Sequence, residues 1–179
     1  MKYILNDNIK IKTATPAELN ILMKFQGDII NKMEHKEFFT PLTEEEFLEP
    51  INGIGNVYML FYHKEMIGLF VLNASPSKEI ISEYNLENPT NIGIFDSIMI
   101  KEKYRGYGLQ RQCISYLDKK AKKYNLKEII ATVHPDNKYS LNNFLKMKYQ
   151  ITNKLKIHNG TRYLIAKKYN ESYFIKYDS

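Results

Sequence analysis

Hydrophobic and polar positions change their spacing several times along this chain, and each change predicts an element. Ile9-Lys10-Ile11-Lys12-Thr13 alternates with period two and predicts a first strand. Thr15-Pro16 opens a helix, because threonine caps orphan amides and proline suits the first helical position. Leu19, Leu22, Met23, Ile29, Ile30 and Met33 give that helix an apolar stripe, which Gln26 interrupts and Gly27 weakens. Phe38-Phe39-Thr40-Pro41-Leu42 breaks the pattern. Thr43-Glu44-Glu45-Glu46 fits a capping box and predicts a short helix to about Glu49, followed by a loop at Pro50, Gly53 and Gly55.

Residues 57–62 and 66–73 are β-rich runs that form a hairpin around His63-Lys64-Glu65. Residues 77–84 predict one or two helical turns, and Asn88-Pro89-Thr90 a loop. Residues 92–100 are the longest strand candidate. From Gly108 the period turns helical: Leu109, Cys113, Ile114, Leu117 and Ala121 share a face, while Gln112, Asp118, Lys119, Lys122 and Lys123 lie off it. Residues 128–133 read as a short buried strand that ends at His134-Pro135-Asp136-Asn137, with a helix over 140–147. Residues 149–157 and 162–168 predict a last hairpin around His158-Asn159-Gly160, and the tail after Asn170 is peripheral. The order β-α-α-β-β-β-α-β-α-β-β predicts a mixed α/β (α+β) fold: a mostly antiparallel central sheet with helices on both faces. One domain over 1–179 is expected, with its core over about 9–168.

Composition changes the picture in a few respects. With 44% hydrophobic residues in 179, the chain can bury a full core unaided. The single cysteine, Cys113, excludes an internal disulfide and a multi-cysteine zinc site and suits a reducing compartment. His35, His63, His134 and His158 are scattered without metal-ligand spacing, so no metal is expected. A net charge of +6 fits an anionic ligand or nucleic acid, and charge alone decides neither. Residues 1–8 lack the roughly 7–15-residue apolar core of a signal peptide. No run approaches the roughly 18 apolar residues of a membrane span. A soluble cytoplasmic protein with no membrane partner is the expectation.

The chemistry concentrates between Asp96 and Arg111. A strand there leads through a basic loop with two glycines into a helix. A helix N-terminus offers unpaired amides and partial positive charge, and glycines let the backbone approach an anion closely. Arg105 and Arg111 add fixed charge, so the stretch reads as a phosphate site.

Two motifs make the chain resemble the GNAT superfamily of acyl-CoA N-acyltransferases. One is Arg105-Gly106-Tyr107-Gly108-Leu109-Gln110 after the strand end Ile98-Met99-Ile100. The other runs from Asn137 through Ser140 and Phe144 to Tyr149. The resemblance implies an N-acetyltransferase that moves an acetyl group from acetyl-CoA to a small-molecule or peptide amine by direct attack in a ternary complex. It implies that the amides from Arg105 to Arg111, including those of Tyr107, Leu109 and Gln110, hold the CoA pyrophosphate. It implies too that the backbone of Ile98 and Ile100 pairs with the pantetheine arm, that the Ile98 amide donates to the oxyanion, and that Asn137, Ser140 and Phe144 line the cofactor.

Three positions depart from the family pattern. Gln110 replaces a small residue, so its side chain must turn from the ligand. Lys148 replaces a glycine before the final aromatic and should affect a turn. Phe144 stands where the family often has a tyrosine acid. That loss is bearable, because releasing a thiolate of pKa about 8.5 at pH 7 costs only about 2 kcal/mol. Water or Tyr139 would then supply the proton.

An attacking ammonium must first lose a proton. Asp96 is the only ionisable side chain in 92–100, and period two sets it with Ile94, Ile98 and Ile100, where burial would raise its pKa toward that of a base. The alternative is an edge or solvent-facing Asp, or one bonded to Ser97 or a loop. His134 titrates in a useful range but also suits a turn before proline. Asn137 also suits capping of the next helix. The resemblance implies that Phe38, Phe39 and Phe47, around the first two helices, line an acceptor pocket; packing explains them at least as well. Lys119-Lys120-Ala121-Lys122-Lys123 reads as a solvated face, so no nucleic acid is expected. The alternative function is a CoA-binding sensor with little catalysis, and a homodimer stays open.

Overall fold

The computed structural model describes residues 8–86, 90–158 and 160–169; the expected loop at Asn88-Pro89, the turn residue Asn159 and the tail after Asn170 lie outside them. Seven strands form one sheet: β1 (Ile9–Thr13), β2 (Gly55–Tyr62), β3 (Glu65–Asn73), β4 (Ile92–Ile100), β5 (Glu128–Val133), β6 (Gln150–Ile157) and β7 (Gly160–Lys168). Their order is β1-β2-β3-β4-β5-β7-β6. Neighbours run antiparallel except β4 and β5, which are parallel. Helices α1 (Leu19–Asn31), α2 (Glu44–Asn52), α3 (Lys78–Glu83), α4 (Leu109–Lys123) and α5 (Lys138–Lys146) complete the fold.

Central strands carry apolar residues on both faces because both faces are covered. On β2, Val57 and Met59 pack with Leu22 and Phe25 of α1 and Phe47 of α2, while Tyr58 and Leu60 pack with the cluster of Leu109, Ile114 and Leu117 from α4. A third cluster joins Tyr84, Ile92 and Ile94 to Ile130, Leu155 and Leu164.

Local chemistry shifts several boundaries. Thr15 precedes a 3-10 turn, Pro16–Glu18, before α1 begins, and its amide donates to the Glu18 carboxylate at 2.7 Å. Gln26, expected to break the apolar stripe, is buried and accepts from the Leu42 amide and donates to the Leu42 carbonyl, both at 2.8 Å. It pins the segment before α2, and α1 runs on past Gly27. Helix α2 extends through Pro50, expected as loop. Proline costs one helical hydrogen bond, and here Pro50 lies in the last turn with its ring buried. The turn residue Lys148 has φ +69, the left-handed region that glycine occupies freely.

Asp118 was expected off the apolar face of α4 and is instead 6% exposed. Its carboxylate accepts from Lys167 Nζ at 2.8 and 2.9 Å and from the Tyr169 hydroxyl at 2.8 Å. Those partners arrive on and after β7, about fifty residues later, so no local pattern foretells them.

Candidate functional site

Strands β4 and β5 pair only at Ile92–Glu128, Gly93–Ile129 and Ile94–Ile130. Beyond that, β4 follows β3 and β5 follows β7, so the two diverge and open a cleft in the sheet. A bulge lies at the divergence. Val71 pairs with Ser97 and Leu72 with Phe95, which leaves Asp96 as the extra residue. The bulge corrects the expected alternation. Ile94 packs with Ile92 and Ile130, whereas Ile98 and Ile100 pack against the cluster of Phe95 on the other face. Asp96 therefore sits at the crossing of two faces.

The backbone of β4 also divides its work. The Lys101 amide donates to the Ile67 carbonyl at 2.9 Å, so Met99 and Lys101 serve β3. Strand amides alternate in direction, which turns those of Ile98 and Ile100 toward the open side. There the Ile100 carbonyl accepts from Arg105 Nε at 3.0 Å.

A groove of about 520 Å³ runs along this edge, lined by Ile98, Ile100, Arg105, Gly106, Gly108 and Gln110, with Asn137 and Ser140 across from them. At its end the chain makes a 3-10 turn, Glu102–Tyr104, held down by Glu65. The Glu65 carboxylate accepts from the Tyr104 hydroxyl at 2.7 Å, Lys101 at 2.9 Å and Lys103 at 3.0 Å, which hold its pKa down to about 2. Gly106 and Gly108 then take φ +83 and +79. No side chain caps α4 at Gly108, and the first amide to donate back is that of Gln112, to the Gly108 carbonyl. Among the described residues the amides of Gly106, Tyr107, Gly108, Leu109, Gln110 and Arg111 donate to no protein acceptor. Six successive orphan donors at a helix N-terminus fit a diphosphate.

Gln110 turns toward α5, donating to Ser140 Oγ at 2.9 Å and accepting from Asn143 at 3.0 Å. The sequence implied only that it turns from the ligand; its role as a buried tie between α4 and α5 was not foreseen. Asn137 caps α5, its Oδ1 accepting from the Ser140 amide at 3.1 Å. Phe144 is buried with its ring 5.5 Å from Phe95 and 5.0 Å from Tyr149. Tyr139 lines the same groove and is largely exposed.

Through the sheet lies a second, narrower cleft of about 150 Å³. It shares Phe38, Phe39, Ile98, Asn137 and Ser140 with the groove, so the two meet. Asp96 lines it, half-buried, and burial followed by the nearby charges of Glu46 and Glu49 pushes its pKa up to about 7. His134 also lines it, but its Nδ1 accepts the Asp136 amide at 3.2 Å. That leaves Nε2 as a donor, so His134 presents no free lone pair to a proton. Its ring lies tilted 5.0 Å from that of Phe38, which in turn stacks 4.8 Å from His35.

Sequence reading missed the other wall of this cleft: Glu49, Glu83, Tyr84, Ser97 and Arg162, with Glu46 seen only as part of a capping box. One signal was present. Glu46 and Glu49 are three apart and share a face of α2.

Residues 27–149 match the acetyltransferase (GNAT) family. No curated sequence is similar enough to match. Solved structures that share the fold include an acetyltransferase of the GNAT family from Streptococcus pneumoniae, 19% identical over 90% of this chain and 99% of that one, with a TM-score of 0.69. A putative acetyltransferase, yncA, from Salmonella typhimurium with its cofactor acetyl-CoA is 11% identical over 92% and 95%, at 0.68. Arabidopsis thaliana Naa50 in complex with the bisubstrate analogue CoA-Ac-MVNAL is 14% identical over 90% and 99%, at 0.69.

Proposed function

The chain belongs to the acetyltransferase (GNAT) family, and from that premise we propose that it transfers an acetyl group from acetyl-CoA to a primary amine by direct attack in a ternary complex. One observation carries the reading: a groove that ends in six unpartnered amides and a cleft holding a carboxylate meet at the splay of β4 and β5.

The amides from Gly106 to Arg111 would hold the pyrophosphate, with Arg105 and Arg111 beside them. Ile98 and Ile100 present backbone groups to the pantetheine arm, and Asn137 and Ser140 line the far wall. Bound there, acetyl-CoA supplies an acyl thioester at the junction. The amine enters from the acidic cleft and gives its proton to Asp96, directly or through water. Its lone pair forms the C–N bond as the C–S bond breaks, and the electron pair stays on sulfur. The Ile98 amide donates to the developing oxyanion. His134 lines the junction and helps place the acceptor through Phe38.

The test couples two measurements. Calorimetry should show CoA binding, and a thiol-release assay with acetyl-CoA and a panel of primary amines should show amine-dependent turnover. Tight CoA binding with no turnover on any amine would favour the second reading, a CoA-binding domain with little catalysis. Phe144 is the observation that favours it, because no hydroxyl stands at that position.

A further inference from the structure

The acceptor side of the cleft carries four carboxylates. Glu46 and Glu49 come from α2, Glu83 from the end of α3 and Asp96 from the bulge, and all four line the same cavity. They sense one another. Glu46 and Glu49 raise the pKa of Asp96 after burial does, and Asp96, Glu83 and Glu46 do the same to the buried Tyr84. Among the described residues, none of the four is ion-paired with a lysine, arginine or histidine. Glu46 accepts from the Thr43 amide at 2.7 Å and Glu49 from the Ser77 amide at 3.3 Å, which leaves each oxygen pair partly free. Arg162 lines the cleft too, but its guanidinium is committed to the carbonyls of Glu37 and Thr161.

A separate observation points to a ligand. Ser97 is 5% exposed and lines the cleft, and its Oγ has no hydrogen-bond partner. Tyr84 is 4% exposed and lines the same cleft. A buried hydroxyl without a partner calls for an explanation. The Ser97 hydroxyl oxygen among four carboxylates forms a set rich in acceptors. An ammonium group, with three donors and no acceptor, matches that set. A metal does not, because among the described residues no three His, Cys, Asp or Glu gather closely enough to hold one.

Size narrows the class. The cleft holds about 150 Å³, below the roughly 300–1,000 Å³ of ordinary small-molecule sites. A cleft of that size takes a small acceptor. Glu46 and Glu83 are exposed and Glu49 and Asp96 are half-buried, so the negative charge runs from the mouth inward.

We propose that the acceptor is a small amine with at least two ammonium groups, one facing Asp96 at the junction and the other held by Glu46, Glu49 and Glu83. The second charge stays ionised while the first amine yields its proton, so it anchors the acceptor without competing for the base. This inference rests on the acyl-transfer reading above and adds the class of acceptor.

The test compares butane-1,4-diamine with butylamine by calorimetry, on the protein alone and with CoA present. The diamine should bind roughly tenfold tighter or more. The Glu46→Gln/Glu49→Gln double variant should lose that margin and keep its CoA affinity. Glutamine also satisfies a capping box, so α2 is preserved. Glu79→Gln, an exposed carboxylate outside the cleft, should keep the margin. Equal affinity for the two amines, or a margin unchanged in the double variant, overturns the proposal. Absence of CoA binding or of transfer to either amine sinks the acyl-transfer reading instead, while the calorimetric margin still reports on the cleft.

Discussion

In the proposed reaction, Asp96 is the residue that takes the proton. Its pKa is pushed up to about 7 by burial and then by Glu46 and Glu49. A base must be ionised to act, so kcat/KM should rise with pH through about 7. Asp96→Asn should remove that inflection and lower kcat by about 10²–10⁴-fold, with CoA affinity unchanged by calorimetry. Stability moves the other way. Between about pH 4 and 7 the folded state holds a proton on Asp96 that the unfolded chain has released, so stability falls as pH rises through that window. The loss is on the order of 1–4 kcal/mol. Asp96→Asn should lack it, which thermal midpoints at pH 5 and pH 8 would show. Lys148 offers a simpler case. A side chain at φ +69 costs about 1–2 kcal/mol, and glycine's extra chain entropy returns about 0.5–1 of it. Lys148→Gly should therefore stabilise the protein by about 0.5–1 kcal/mol in denaturant unfolding.

At the scale of elements, the loop from Glu102 to Gly108 and the start of α4 act as a unit. Both glycines use left-handed backbone, but only Gly108 is crowded. A Cβ there would meet Arg111 Nη2 at 3.3 Å, whereas one on Gly106 meets nothing within 4 Å. Each alanine substitution should cost about 1–2 kcal/mol for its backbone. Gly108→Ala should in addition displace Arg111 and weaken CoA binding beyond Gly106→Ala, as titration of both variants would show. The loop and its glycines were legible in the sequence, because a strand, two glycines and a helix follow one another directly. The bulge at Asp96 was not. Period two along β4 predicts one continuous face, and only the pairing with β3 shows the extra residue.

At the scale of the molecule, the Lys167–Asp118 pair ties α4 to β7 in a buried setting. Such a pair contributes little beyond an apolar replacement, but breaking it leaves a buried charge. Asp118→Ala should cost about 3–5 kcal/mol in denaturant unfolding, whereas Asp118→Leu with Lys167→Met should cost far less. The whole-molecule link also explains the acidic cleft. Its walls come from α2, α3, β4, β5 and the start of β7, segments more than a hundred residues apart.

What the sequence determined by itself was local. Period and turn chemistry set the elements, and two contiguous motifs pointed to the family and to a candidate phosphate loop. What only the tertiary structure decided was convergent. The splay of β4 from β5, the lack of protein acceptors for six amides, and the meeting of Glu46, Glu49, Glu83, Ser97 and Asp96 in one cleft depend on strand pairing and packing. Such contacts carry no periodic trace along the chain, because the residues that make them meet only when the sheet closes around them.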